Sequence, residues 1–187
     1  MKDFYAHKLI KDNIININEI INASQELKVK NKFTTNQEHI YEVKSNEIIN
    51  HTSFNNLMFK IKDLIEENFD TKNIIFQKLW LVETEYKHTD KSKLPYKLHF
   101  DKRRFFKGMV YLNDVTENHG PIHFGKIRQE IKIDKLRRKL PENYKDLNLN
   151  YIEEKYLLEK PKPLLGQKGD IILFDTNEPH HAGVVLS

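Results

Sequence analysis

From residue 73 onward the chain keeps returning to one texture, in which a short run of β-branched and aromatic residues is followed by a charged or turn-forming stretch. Ile74 to Val82, Tyr96 to Phe100, Phe105 to Leu112 and Asp170 to Phe174 are such runs. Their length and residue types suit strands on a pleated surface better than helices. Between them lie a charged loop at Tyr86 to Pro95, turn chemistry at Asn113 to Pro121, a charged insertion at Gln129 to Lys160 and a loop at Pro161 to Gly169. Asn118 and Gly120 are the residues of that turn suited to positive φ. A short helix is expected around Ile133 to Leu140.

The first 70 or so residues read differently. Leu57, Met58, Ile61, Leu64, Ile65 and Phe69 recur at helical spacing, which predicts an amphipathic helix over Phe54 to Phe69 with one face on a core. Ile14 to Ile21 fits a short helix or a strand equally well. The fold expected is therefore mainly β with flanking helices, a sheet-based barrel or sandwich with helical support in front. One domain spans 1–187 in this reading, with the β core over about 73–187 and the insertion at 129–160.

With 187 residues, 39% hydrophobic and 31% charged, the chain can build a real core. Its formal charge of +4 is spread among mixed Lys and Glu instead of gathering into a stripe, so nucleic acid is not the expected partner. The absence of cysteine excludes disulfides, thiolate zinc sites and cysteine nucleophiles. The start, Met1 to Lys8, lacks the apolar core of a signal peptide, and no apolar run reaches the length of a bilayer span. A cytoplasmic protein without membrane contact is expected. Oligomeric state leaves no signature.

Of the nine histidines, His7, His39, His51 and His88 sit in polar surroundings and read as solvated, while His119 and His123 fall in or just after a turn and read as structural. His99 differs. It stands at a strand end in Leu98-His99-Phe100-Asp101. Side chains alternate along a strand, so His99 and Asp101 point to one side and together offer an imidazole and a carboxylate to one metal. A third ligand must come from far along the chain, and His180 or His181, just past the strand Asp170 to Phe174, supplies it. Two imidazoles and one carboxylate on one side of a metal leave positions open, the arrangement of non-haem iron(II) oxygenases.

These same residues carry a resemblance. His99-Phe100-Asp101, the phrase Phe106 to Val115 with Tyr111-Leu112-Asn113-Asp114-Val115, the turn Asn118-His119-Gly120-Pro121 and the late segment Gly169 to His180 resemble, in order, the phytanoyl-CoA dioxygenase family. The likeness covers roughly residues 75–185. It implies a double-stranded β-helix (jelly-roll, cupin-like) and a metal site of His99, Asp101 and His180, since the family's distal histidine follows Phe-Asp-Thr and three further residues. His181 then falls where the family has a supporting or substrate-facing residue. The implied cofactors are Fe(2+) and 2-oxoglutarate. The implied reaction couples decarboxylation of 2-oxoglutarate to succinate with hydroxylation, using O₂, of a small or carrier-linked metabolite.

Two departures stand out. The family carries an Arg about ten residues after the distal histidine, where its planar fork meets the outer carboxylate of 2-oxoglutarate. That position lies beyond Ser187, so either the chain is a piece of a longer protein or another cation serves. Lys107 and Tyr111, on one face of a predicted strand with Met109, are the candidates, although Lys107 also fits a lysine reaching to solvent. Phe124-Gly125-Lys126 replaces a Gly-Ser-His phrase of the family, which weakens any transfer of substrate contacts. Besides the oxygenase, a cupin-like metal-binding module without oxygenase activity fits the sequence. So does a metal-dependent hydrolase or isomerase with Glu178 or His181 as general base. Loops select the substrate in such folds, here Tyr86 to Pro95, the insertion and the N-terminal region, and their lysines suit an anionic one.

Overall fold

The structure is a computed structural model that describes residues 7–11, 16–30, 38–84, 97–101, 103–128 and 149–186. Its architecture is mainly β, with every paired strand antiparallel and, among the described residues up to 70, three α-helices. The strands are β1 (Lys8–Ile10), β2 (Glu38–Val43), β3 (Leu79–Thr84), β4 (His99–Asp101), β5 (Phe106–Val110), β6 (Ile122–Phe124), β7 (Leu149–Tyr151), β8 (Lys162–Pro163), β9 (Ile171–Asp175) and β10 (His180–Ala182). The helices are α1 (Ile17–Lys30), α2 (Ser45–Asn50) and α3 (Thr52–Phe69). Among the described residues no helix is long and apolar enough to cross a membrane.

Three sheets form, with strand orders β1-β9-β5, β7-β4-β10-β6-β8 and β2-β3. β9 explains how the layers stack. All five of its residues are buried. Ile171 and Leu173 pack with Leu64 and Ile65 of α3, whereas Ile172 and Phe174 pack with Tyr111, Val115 and Phe124. The two sets alternate because successive side chains leave opposite faces of a strand. A strand covered on both faces must be apolar without interruption, as Ile171-Ile172-Leu173-Phe174 is. Phe124 belongs to the five-stranded sheet, so the second cluster lies between the two larger sheets.

The helices carry a separate cluster. Ile20, Ala23 and Leu27 of α1 meet Val43, Ile48, Phe54, Leu57 and Leu81. The helical option for the ambiguous Ile14 to Ile21 stretch thus holds from Ile17 on, because the apolar period continues through Leu27. The expected amphipathic helix is α3, buried at Phe54, Leu57, Leu64 and Ile65. Asp70, in the left-handed region at φ 48°, ends it.

Several boundaries differ from the sequence reading. The strand expected over Ile74 to Val82 begins only at Leu79, where Val43 becomes its partner. Before Val43 lies β2, but after it Lys44 starts the turn into α2, so residues 74–78 have no ladder to join, and the Ile74 amide bonds the Glu66 carboxylate instead. Of the two turn residues suited to positive φ, only Gly120 adopts it, at 68°. The segment Gln129 to Lys160 is not wholly an insertion. Its residues 149–151 form β7 and pair with β4, and Ile152 and Leu157 pack around Phe100. The stretch Pro161 to Gly169 contains β8, paired with β6. The helix expected at Ile133 to Leu140, and the loop Tyr86 to Pro95, lie outside the described residues.

Candidate metal centre

His99, Asp101 and His180 come together, and their burial is unusual for such polar groups, at 4%, 7% and 5% exposure. β4 and β10 are neighbours, with His99 directly opposite His180. Asp101 is two residues along β4 and shares its face, while Phe100 between them points the other way into the cluster with Ile152 and Leu157. The Asp101 amide donates to the Thr176 carbonyl at 3.0 Å, which ties β4 to the β9–β10 connection. One potential ligand atom from each residue lies within 4.8 Å of the others. His180 Nε2 stands 3.8 Å from Asp101 Oδ1, and the two imidazole centroids are 4.4 Å apart.

The backbone fixes which nitrogen of each ring faces the centre. His99 Nδ1 donates to the Lys97 carbonyl at 2.7 Å, and His180 Nδ1 donates to the Glu178 carbonyl at 2.7 Å. A carbonyl only accepts, so each Nδ1 carries the proton and each Nε2 presents a lone pair. Burial lowers the pKa of His99, against the upward pull of the Lys97 carbonyl and Asp101. Burial, and then the neighbouring His99, pulls His180 down to about 3. Both rings are therefore neutral near pH 7, the form that ligates. Anchored Nδ1–H groups with free Nε2 atoms are the usual supporting arrangement around metal-binding histidines. The three side chains could together hold a metal ion. Two imidazoles and one carboxylate fit such an ion by chemistry as well as by spacing.

Lys107 on β5 reaches this centre from the facing sheet. Its Nζ is 2.7 Å from Asp101 Oδ2 and 5.9 Å from the centre of the Phe174 ring, so it is directed at the carboxylate and not simply into solvent. Met109 and Tyr111 share its face, as the alternation on that strand predicts. Tyr111 does not join the centre, however. It is buried with its hydroxyl donating to the Leu164 carbonyl at 2.7 Å, and burial pushes its pKa up to about 12.

The structure also separates His180 from its neighbour. His181 leaves β10 on the opposite side and stacks on His123, 4.6 Å away and 13° from parallel. His123 and His181 are register partners, and the pKa of His123 is lowered by burial first and by His181 second. His119 accepts the Thr116 amide through Nδ1 and is exposed, while His51 precedes α3 and meets Phe54 edge-on at 5.5 Å. His88 and the His39 side chain lie outside the described residues.

His7, read from the sequence as solvated, is half-buried and bonded to Glu178 at 2.8 Å. Nothing local to His7 signals this, because β1 delivers it by pairing with β9 more than 160 residues away. The Arg104 guanidinium, likewise unassigned by sequence, reaches the fully buried Asp175 at 2.7 Å and braces the segment that leads to His180. No protein-family model matches the chain, and no curated protein matches it.

Proposed function

We propose that the chain is an Fe(2+)- and 2-oxoglutarate-dependent oxygenase resembling the phytanoyl-CoA dioxygenase family, built on a double-stranded β-helix. The observation that carries the reading is the meeting of two Nε2 lone pairs and one carboxylate between facing antiparallel sheets, with both Nδ1–H groups already held by backbone carbonyls. A structural zinc site closes its shell with four protein ligands, whereas the three found among the described residues would leave room for exchangeable groups. When bound, iron(II) supplies redox chemistry toward O₂ and a Lewis-acidic seat for a keto acid.

The chain's own residues do the rest. His99 and His180 would hold the ion through Nε2, and Asp101 through Oδ1. Lys107, on Asp101 Oδ2, keeps that oxygen turned aside and directs an ammonium toward an anionic co-ligand, the role otherwise expected of an arginine. Phe174 and Phe124 line the same interior and keep water away from the ring of His180. The substrate in this reading is a small or carrier-linked metabolite.

The test is succinate formation from 2-oxoglutarate by protein loaded with Fe(2+) under air, compared with Asp101→Asn. Metal-dependent succinate production that Asp101→Asn abolishes is the expected result. Tight iron binding without any turnover of 2-oxoglutarate would favour a metal-binding module. A metal-dependent reaction indifferent to O₂ would favour a hydrolase or isomerase.

A further inference from the structure

The ring of His7 lies flat on Phe124, with centroids 4.2 Å apart and planes 9° from parallel. Its Nδ1 meets Glu178 Oε1 at 2.8 Å. Glu178 is 6% exposed, and its other oxygen, Oε2, is buried without a hydrogen-bonding partner. A buried carboxylate needs partners in proportion to the water it has lost, and His7 is the side chain that meets this one among the described residues.

Two routes of contact lead from His7 to the metal centre. The first runs through the backbone. Glu178, whose side chain His7 pins, is also the residue whose carbonyl accepts Nδ1–H of His180 and so sets the angle of that ligand ring. The second runs through stacked rings. Phe124 is the register partner of His180, its ring 6.3 Å from the imidazole, and both rings contact Phe174, at 5.2 Å in each case. A ring supported from the carbonyl side and from its flank has little freedom to turn Nε2 away.

We propose that His7 is a positioning residue of the metal centre, by which docking of β1 and the metal-binding pose of His180 are coupled. Remove the imidazole and the Glu178 carboxylate is left buried with neither oxygen satisfied. The side chain must then turn toward water, and the main chain that anchors His180 moves with it. Coupling of this kind is reciprocal, so a bound ion must in turn hold β1 in place. The proposal rests on the metal-centre reading, but not on oxygen chemistry.

Cobalt(II) serves as the probe, since both its affinity and its visible absorption report the ligand arrangement without any substrate. His7→Ala is expected to weaken Co(2+) binding about 10- to 100-fold, the usual effect of losing a group that orients a metal ligand, and to alter the spectrum. His7→Asn, which keeps a donor for Glu178, should recover most of the affinity. Lys8→Ala, which touches only the exposed Asn68 contact on β1, should match the wild type. If His7→Ala fails to fold, amide exchange of β1 in the wild type replaces it, and protection should rise on adding Co(2+). Wild-type affinity and spectrum in a folded His7→Ala, or β1 exchange indifferent to cobalt, overturns the proposal. Failure of the wild type itself to bind Co(2+) overturns the metal-centre reading, and this proposal with it.

Discussion

Replacing His180 and His181 one at a time gives the sharpest check on the metal centre, because the two residues are adjacent in sequence and opposite in space. Four-ligand protein sites bind zinc with roughly 10–16 kcal/mol, so one imidazole donor carries about 3 kcal/mol. His180→Ala should therefore weaken metal binding by roughly two orders of magnitude. His181 sits on the other face of β10, in its stack with His123, and offers no atom to the centre. His181→Ala should change affinity by no more than about 0.5 kcal/mol, as substitutions remote from a site do. His180 is buried against Phe174 and Phe124, so its loss also opens a cavity, and the fold must be checked separately. Asp101→Asn, which conserves volume, gives that check: it should lose affinity to a similar degree while its circular dichroism melt stays cooperative. Calorimetric titration with Co(2+) or Fe(2+) measures all three variants. The reasoning is refuted if His181→Ala abolishes binding while His180→Ala binds as the wild type does.

Other consequences are testable with the purified protein. Both ligand imidazoles have pKa values below the ordinary 6.5, that of His180 near 3, so the unfolded chain takes up their protons first as pH falls. Their contribution to the stability of the metal-free protein is then full above pH 6.5 and is lost as pH falls toward 3, which melts recorded between those limits should show. By the same argument Co(2+) affinity should begin to fall at a lower pH than ordinary imidazoles would dictate, and a fall centred on 6.5 would mean that the histidines titrate as exposed ones. Arg104→Ala leaves the 0%-exposed Asp175 carboxylate without its guanidinium partner. The expected cost is about 3 kcal/mol, or roughly 6–12 °C in melting temperature, and a shift under about 2 °C would contradict the bracing role. At Gly120, φ is +68° and an added Cβ would stand 2.9 Å from the Gly183 carbonyl oxygen. Gly120→Ala should therefore cost at least about 1 kcal/mol in denaturant unfolding.

Much of this was written locally in the chain. Period-two alternation put His99 and Asp101 on one face of β4, and Lys107, Met109 and Tyr111 on one face of the facing sheet. The unbroken apolar run at Ile171 to Phe174 announced a strand covered on both sides, and the helical spacing of Leu57, Leu64 and Ile65 announced α3. Each of these is a property of one segment and its own repeat, so a single sequence suffices to read it.

What involves two segments was not legible in that way. Residues 74–78 have strand-forming side chains and no strand, because the chain that would pair with them has already turned into α2. Residues 149–151 look like part of a charged insertion, yet they are the neighbour of β4. The choice of His180 over His181 follows from which face of β10 looks toward β4's ligands, a matter of register that resemblance anticipated and local pattern left open. Lys107 meets Asp101 only because two sheets face each other, and His7 meets Glu178 only because β1 pairs with β9. The sequence determined which residues are able to ligate, pair or pack. The tertiary structure decided which of them meet, since hydrogen-bond ladders between strands distant in sequence fix faces and neighbours that no single segment encodes.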